Sequence, residues 1–392
     1  MRKLMAAGVG VLLTLTLAVW VNSGTASATQ SSGTTLPAAS AAVPVALSGI
    51  DLHDGMVLKD GDTYYLYGTR YACGFRWNTA TPTNFCGFGV ATAPSLAGPW
   101  SQITNLFDPN SIDPYNGRTW RDECTRNNNA GCFNPRMVQR SSDGVWILWF
   151  NSVADYADGP GRNSYNAMGC AGPAGPCGPG AGAHGSYNKP KIYTCVTNGD
   201  FGIFTDGTSA YLICTMTNQT LAMEKLDVWW TNGTGNVAGN GVTNIAGYTA
   251  SEGPGAYFDS TSGKWVMTLN YDNCGYGSGC GLAYATAPSP LGPWTAPRNW
   301  GIAVDSKARA TISWNSCGGQ PRTVSVVDGV PYQIIDLWVP DANDDSRNQT
   351  NAGLLITPLV FRDPPNTPGV PWQPFEELRC YQPGSSATAT TR

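Results

Sequence analysis

Apolar positions along this chain fall in short, strand-like runs separated by turn residues, and one pattern returns five times. An apolar strand leads into a Gly- or Asp-containing turn, followed by a second strand rich in aromatic and β-branched residues. The units are "MVLKDGDTYYLYG" from Met56, "RMVQRSSDGVWILWFN" from Arg136, "GIFTDGTSAYLICTM" from Gly202, "GAYFDSTSGKWVMTLNY" from Gly255 and "VSVVDGVPYQIIDLW" from Val324. Their turn chemistry and flanking runs predict five β-hairpins. A longer duplication accompanies them: "GFGVATAPSLAGPWS" (87–101) closely matches "GLAYATAPSPLGPWT" (281–295). No stretch shows helical periodicity with caps. Five β-units of about 65 residues predict an all-β, five-bladed β-propeller, in which radial repetition protects the sheet edges. A two-sheet sandwich would also use many strands, but it would not favour five similar hairpins.

The ends of the chain read differently. Arg2 and Lys3 precede an apolar run from Leu4 to about Val21, and Ala26-Ser27-Ala28 fits a small-x-small cleavage pattern. We expect a signal peptide over 1–28 and a secreted, extracellular protein; a membrane anchor is the competing reading. Residues 29–48, rich in Ser, Thr, Ala and Pro, read as a disordered leader, and 381–392 as a flexible tail. The single expected domain runs from 49 to 380.

Composition narrows the chemistry. All 12 cysteines lie beyond the expected cleavage point, which in an exported chain predicts disulfides. Cys73 and Cys86, Cys124 and Cys132, Cys170 and Cys177, and Cys274 and Cys280 are close in sequence, although spacing does not determine connectivity. With no CxxC pair and only 2 histidines, a zinc site is not expected. Charged residues are 13% and the net charge is −4, so no basic stripe for nucleic acid exists. A charge-poor chain with 14 Trp and 17 Tyr suits a neutral polar ligand such as sugar.

In a propeller the first strand of each blade lines the central channel, and its N-terminal end points to one mouth. Each unit offers a polar residue just before that strand: Asp54, Asn134 in "CFNPRMV", Asp200 in "NGDFGIF", Glu252 in "SEGPGAYF" and Gln320 in "GGQPRTV". We expect the five to occupy equivalent places in their blades. Carboxylates gathered at one mouth repel each other and lose water, so one holds its proton near neutrality while another stays ionised. Glycosidic cleavage needs that asymmetry. Trp77, Trp149, Tyr271 and Trp338 are expected near the mouth as flat surfaces for sugar rings, with a core role as the alternative for each.

These segments resemble glycoside hydrolase family 43, whose members are five-bladed propellers, over essentially the whole of 49–380. "HDGMVLKDGDTYYLYG" is similar to the family's first-blade motif and implies Asp54 as general base. "GDFGIFTDGTSAYLI" resembles the third-blade motif and implies Asp200 as the acid that tunes the proton donor. "SEGPGAYFDSTSGKWVM" resembles the fourth-blade motif and implies Glu252 as general acid. The family usually carries Asp-Pro in blades one and three, where this chain has Asp54-Gly55 and Asp200-Phe201. Gln320-Pro321 and "DLWVPD" are similar to blade five of the exo-β-1,3-galactanases, a subgroup that lacks the first-blade Asp and relies on the Gln; this chain has both. The resemblance implies inversion, with base and acid about 6.5–9.5 Å apart around a water. In arabinan-degrading relatives a channel His touches a metal, but that His usually comes from the last blade, where this chain has none; His184 lies in a Gly-rich loop. His53 is expected to bind sugar or neighbouring backbone, and Asn134 and Gln320 to bind substrate.

No cofactor and no metal are expected, since no loop has the oxygen density that calcium needs. The expected partner is a polysaccharide or oligosaccharide containing arabinose, xylose or galactose, with no nucleic acid and no membrane after cleavage, and the chain is expected to be a monomer. The Gly-rich segment 154–190 is expected between blades two and three, as a loop that rims the pocket. Two other classes compete: a sugar-binding propeller without turnover, and a sialidase-type hydrolase suggested faintly by "SSDGVW" from Ser141.

Overall fold

A computed structural model of the chain describes residues 42–77, 83–125, 131–152, 164–195, 198–235, 241–271, 279–296, 310–339, 348–361 and 378–380. A short strand β1 (Val45–Leu47) comes first. Blade one is β2 (His53–Asp60), β3 (Thr63–Thr69), β4 (Phe88–Ala93) and β5 (Thr104–Asn105). Blade two is β6 (Cys132–Gln139), β7 (Trp146–Ser152), β8 (Tyr165–Cys170) and β9 (Ser186–Asn188). Blade three is β10 (Asn198–Thr205), β11 (Ala210–Met216), β12 (Leu221–Lys225) and β13 (Gly241–Thr243). Blade four is β14 (Ser251–Asp259), β15 (Lys264–Tyr271), β16 (Gly281–Ala287) and β17 (Ala310–Ser313). Blade five is β18 (Gln320–Val327), β19 (Val330–Leu337) and β20 (Gly353–Pro358), with β1 as its fourth strand. The five sheets form the predicted five-bladed propeller, and the five hairpins read from sequence are the inner halves of its blades. Each inner strand packs against the inner strands of both neighbouring blades, which closes the ring around the axis.

The ring is sealed by the strand nearest the N-terminus. Val45 pairs with Ile356 and Leu47 with Leu354, so β1 gives blade five an antiparallel edge that its own sequence does not supply. Val45–Leu47 was expected inside the disordered leader; its alternating burial, with Val45 and Leu47 inward, places it in the propeller instead. Lys59 on blade one pairs with Asp328 in the β18–β19 turn, tying the inner hairpins of blades one and five together. The Gly-rich segment is also corrected. Residues 165–170 and 186–188 are the third and fourth strands of blade two rather than an inter-blade loop, because "YNAMGC" is buried along its whole length. Residues 154–163 lie outside the described residues.

Five large apolar clusters among the described residues fill the gaps between neighbouring blades, one in each, and two small ones gather around Phe75 and Trp338. The long duplication has its reason there. Trp100 fills the gap between blades five and one, and Trp294 fills the gap between blades three and four, each at the end of an "ATAP…GPW" segment. One α-helix is present among the described residues, the single turn α1 (Trp120–Glu123), capped by the Thr119 hydroxyl.

Five disulfides join described cysteines: Cys73–Cys86, Cys124–Cys132, Cys170–Cys177, Cys195–Cys214 and Cys317–Cys380. Cys280 is also disulfide-bonded, and Cys274 lies outside the described residues. Such a set belongs to an oxidising compartment. No helix of the described residues is long and apolar enough to cross a membrane.

Closure by β1 makes a stability prediction. Leu47 is 3% exposed and Val43 is 59% exposed. Leu47→Ala should therefore lower the unfolding free energy by about 2–4 kcal/mol, and Val43→Ala should change it by less than about 0.5 kcal/mol. Urea titration followed by tryptophan fluorescence measures both.

Candidate active site

Every inner strand carries a β-bulge near its N-terminal end. In each, two residues oppose one on the neighbouring strand: 54–55, 134–135, 199–200, 253–254 and 322–323. A bulge bends the strand and redirects its side chains, and here it does so five times around one axis. Asp54 (φ 52°), Asn134 (φ 58°) and Gly253 (φ 56°) share the left-handed first position, a conformation that Asp, Asn and Gly tolerate best. The inner strands also come unusually close. A Cβ on Gly255 would stand 2.2 Å from the Val324 nitrogen, so only glycine fits there.

The bulges correct the expected equivalence of the polar residues. Asp54 and Asn134 do share a position. Asp200 comes one residue later, Glu252 one earlier and Gln320 two earlier, and the place of Asp54 in blade five belongs to Arg322. The polar groups converge from staggered positions, and a residue absent from the sequence reading connects them. Arg322, nearly buried, donates Nε to Asp336 Oδ2 at 3.0 Å, and its Nη1 pairs with Asp200 Oδ2. The same Asp336 oxygen accepts the Asp54 backbone N–H at 3.0 Å. Asn134 donates to Asp200 Oδ1 at 3.0 Å, which leaves both Asp200 oxygens engaged.

Arg136, fully buried, performs the complementary task with backbone. It donates to the Asp54 carbonyl at 2.7 Å, the Phe201 carbonyl at 3.1 Å and Asn134 Oδ1 at 3.1 Å, joining blades one, two and three. Thr69 donates its hydroxyl to Asp54 Oδ1 at 2.8 Å. Glu252 is half-buried, and its Oε1 accepts from Gln219, on the β11–β12 turn of blade three, at 3.4 Å.

The electrostatics follow from counting. Four carboxyl groups (Asp54, Asp200, Glu252 and Asp336) share the interior with two guanidiniums (Arg136 and Arg322). Burial opposes the charge on Arg322, but Asp200, Asp336 and Asp54 outweigh it and raise its pKa. Burial lowers Arg136 to about 10, so it stays charged at neutral pH. Burial lifts Asp336 to about 6, with Arg322 and the Asp54 N–H holding it down. The two carboxyls without a side-chain bond to an arginine rise further. Burial brings Asp54 to about 7 against the pull of Arg322, and burial, then the charge of Asp200, brings Glu252 to about 7. The raised proton affinity of the interior thus falls mainly on Asp54 and Glu252.

The expected sugar-facing residues divide. Trp338 and Gln320 belong to the network: the Trp338 indole N–H donates to Gln320 Oε1 at 2.8 Å, and the Arg322 guanidinium lies 5.3 Å from the Trp338 ring. Trp77 is half-buried, packs with Trp338 and stands edge-on to Phe133, an aromatic at the mouth of blade two that the sequence reading did not single out. Trp149 and Tyr271 are corrected to core residues. Trp149 is fully buried between blades two and three and donates to the Trp230 carbonyl, and the Tyr271 ring fills the space that a Cβ on Gly281 would take.

His53 is fully buried against Tyr71 and Trp338, and neither ring nitrogen has a hydrogen-bond partner among the described residues, so the expected backbone contact is not made. Burial, then the charge of Arg322, holds it neutral with a pKa of about 3.

Solved structures share this architecture. The chain is similar to an exo-β-1,3-galactanase from Phanerochaete chrysosporium with bound galactose, at 18% identity and a TM-score of 0.56 over 79% of this chain. It spans 61% of the length of that enzyme. A glycoside hydrolase family 43 β-1,3-galactosidase with galactodeoxynojirimycin matches at 16% identity and a TM-score of 0.56, over 83% of this chain and 95% of that one. An endo-1,4-β-xylanase from Bacteroides thetaiotaomicron matches at 16% identity and a TM-score of 0.51, over 81% and 93%. No family model and no curated protein matches the chain. At these identities the likeness establishes the fold: this is a five-bladed propeller of the kind on which family 43 glycosidases are built.

The raised carboxyls make stability fall with pH. Glu252 and Asp54 bind protons more tightly folded than unfolded, where their pKa values are 4.5 and 3.8. Their stabilisation is therefore complete below about pH 4 and is lost as pH rises through about 7. Asp336, raised to about 6, acts in the same direction; Asp143 and Asp206 are shifted down, so their opposite effect is confined below about pH 4, and His53, lowered to about 3, opposes the trend only up to about pH 6.5, one imidazole against three carboxyls. Tm should drop by several degrees between pH 5 and pH 8, and Glu252→Gln should flatten that slope in differential scanning calorimetry.

Proposed function

We propose that this protein is a secreted glycoside hydrolase that cleaves O-glycosidic bonds in a neutral polysaccharide with inversion at the anomeric carbon. The observation that carries this reading is the pair of carboxyls raised by burial, Asp54 and Glu252, both within reach of the Arg322 charge. An inverting mechanism needs one such group ionised and the other protonated. Glu252, the more exposed of the two, donates its proton to the leaving oxygen. Asp54, held by Thr69, removes a proton from the attacking water. Asp200 raises the proton affinity of Glu252 by its charge and is itself paired with Arg322. Each turnover moves one proton from Glu252 to the leaving group and one from water to Asp54, after which solvent resets both.

Galactose is the favoured sugar among arabinose, xylose and galactose. The structural neighbours include enzymes described as acting on β-1,3-galactosides, and Gln320, in the blade-five Gln-Pro pair, is oriented by the Trp338 indole. Gln320, Asn134, Trp77 and Trp338 would contact the sugar, and the protein would act as a monomer without a cofactor.

Incubation with β-1,3-galactan, arabinan and arabinoxylan, followed by product analysis, tests the substrate, and proton NMR of the first-formed anomer tests inversion. Glu252→Gln should lower turnover of polysaccharide about 10²–10⁴-fold, with a much smaller loss on aryl glycosides whose leaving group needs no proton. Equal losses on both substrates would remove Glu252 from the role of acid. Release of the retained anomer would refute the mechanism.

A further inference from the structure

Outside the network around Arg322, an exposed tryptophan, Trp314, stands at the mouth end of the propeller. Pairing across blade four runs in a single row: Glu252 opposes Asn270, Asn270 opposes Leu282, and Leu282 opposes Ser313. Trp314 follows Ser313 directly. It thus stands at the same end of the blade as Glu252, three strand spacings outward, or ~14 Å. It is 59% exposed, whereas Trp100, Trp120, Trp149, Trp230, Trp265, Trp294 and Trp338 are all buried.

The other strongly exposed tryptophan makes a useful contrast. Trp229 is 61% exposed, but its ring is covered by the Arg140 guanidinium at 5.4 Å, and it follows the far end of β12, away from the mouth. Trp314 makes no ring or cation contact among the described residues.

The backbone around Trp314 is firmly held. Ser316 donates its N–H to Ser313 Oγ at 3.0 Å and its hydroxyl to the Cys280 carbonyl at 2.6 Å. Cys280 donates its N–H to the Gly319 carbonyl at 3.2 Å. Cys317, three residues after the tryptophan, is bonded to Cys380. A rigid, solvent-facing indole offers a large apolar face at little conformational cost, and the C–H face of a sugar ring is its natural complement.

We propose that Trp314 is a remote platform for a neutral polysaccharide chain, on the leaving-group side of the site. The proposal rests on the assignment of Glu252 as the acid, because the leaving portion of the chain then departs over blade four. A span of three strands exceeds a single sugar ring, so the platform acts only on substrates several units long. It favours polymers over short glycosides without touching the reacting atoms.

The test compares Trp314→Ala with Trp229→Ala, both at exposed sites that leave the core intact. Affinity electrophoresis in gels containing β-1,3-galactan, arabinan or arabinoxylan reads binding without turnover. Kinetics on the retarding polymer and on an aryl glycoside read the consequence. Trp314→Ala should weaken retardation and lower kcat/KM on polymer about tenfold, with the aryl glycoside unaffected, and Trp229→Ala should match the wild type throughout. Unchanged retardation by Trp314→Ala, equal losses on polymer and aryl glycoside, or a wild type that no polymer retards would each overturn the platform. A wild type that is retarded yet hydrolyses nothing would refute the hydrolase reading, and the Trp314→Ala retardation would still decide the platform.

Discussion

The buried guanidinium of Arg322 is the constraint on which the site depends. It sits at the start of blade five and pairs with Asp200 of blade three and with Asp336 of its own blade, while Asp336 in turn fixes the Asp54 backbone of blade one. Unpaired, a buried guanidinium would be strongly destabilising, and so would any of these carboxylates alone. Paired, they leave a definite residue of unneutralised acid. Asp54 and Glu252 have no side-chain bond to an arginine, and burial raises both against the more distant pull of Arg322. Burial, with two guanidiniums set among four carboxyl groups, thus leaves Asp54 and Glu252 with the highest proton affinity of the four.

The propeller makes that distribution possible. Groups from residues 54 to 336 are distant in sequence, and no local motif could hold them at hydrogen-bond distance. Five inner strands meeting around an axis bring their N-terminal ends together, and the repeated bulges turn side chains inward at the mouth. The seam formed by β1 and β20 carries the same load, since blade five supplies both Arg322 and Asp336. Loss of that seam would loosen the blade that holds the charge network.

Much of the fold was legible in the chain, because β-hairpins announce themselves through turns and alternating strands, and five of them leave few architectures. The outer strands were harder to read. β1 is three residues long and hides in an Ala- and Pro-rich segment, and β8 and β9 lie in a Gly-rich one, so local pattern alone pointed to loops. The carboxylates at the mouth stood out because they precede inner strands. Their register did not, since a bulge shifts a side chain by one position without any mark in composition.

The repeated tripeptides illustrate this limit. Asn134-Pro135-Arg136 and Gln320-Pro321-Arg322 look alike, yet the bulge falls on 134–135 in one blade and on 322–323 in the other. Matching the two by sequence aligned Gln320 with Asn134 and passed over both arginines. The shared Arg was the available signal: a cation two residues beyond a polar slot, in two blades of a charge-poor chain, belongs to the interior. Trp149 and Tyr271 were misread for a related reason, because an aromatic near a strand end can fill an inter-blade gap as readily as it can face a ligand.

The charge balance is the central claim, and it can be observed directly by titrating the carboxyl carbons of ¹³C-labelled Asp and Glu by NMR. Two carboxyl groups should titrate near pH 7 in the native protein, with Asp54→Asn and Glu252→Gln each removing one of the two transitions. A native protein in which every carboxyl group titrates below about pH 5 would contradict it.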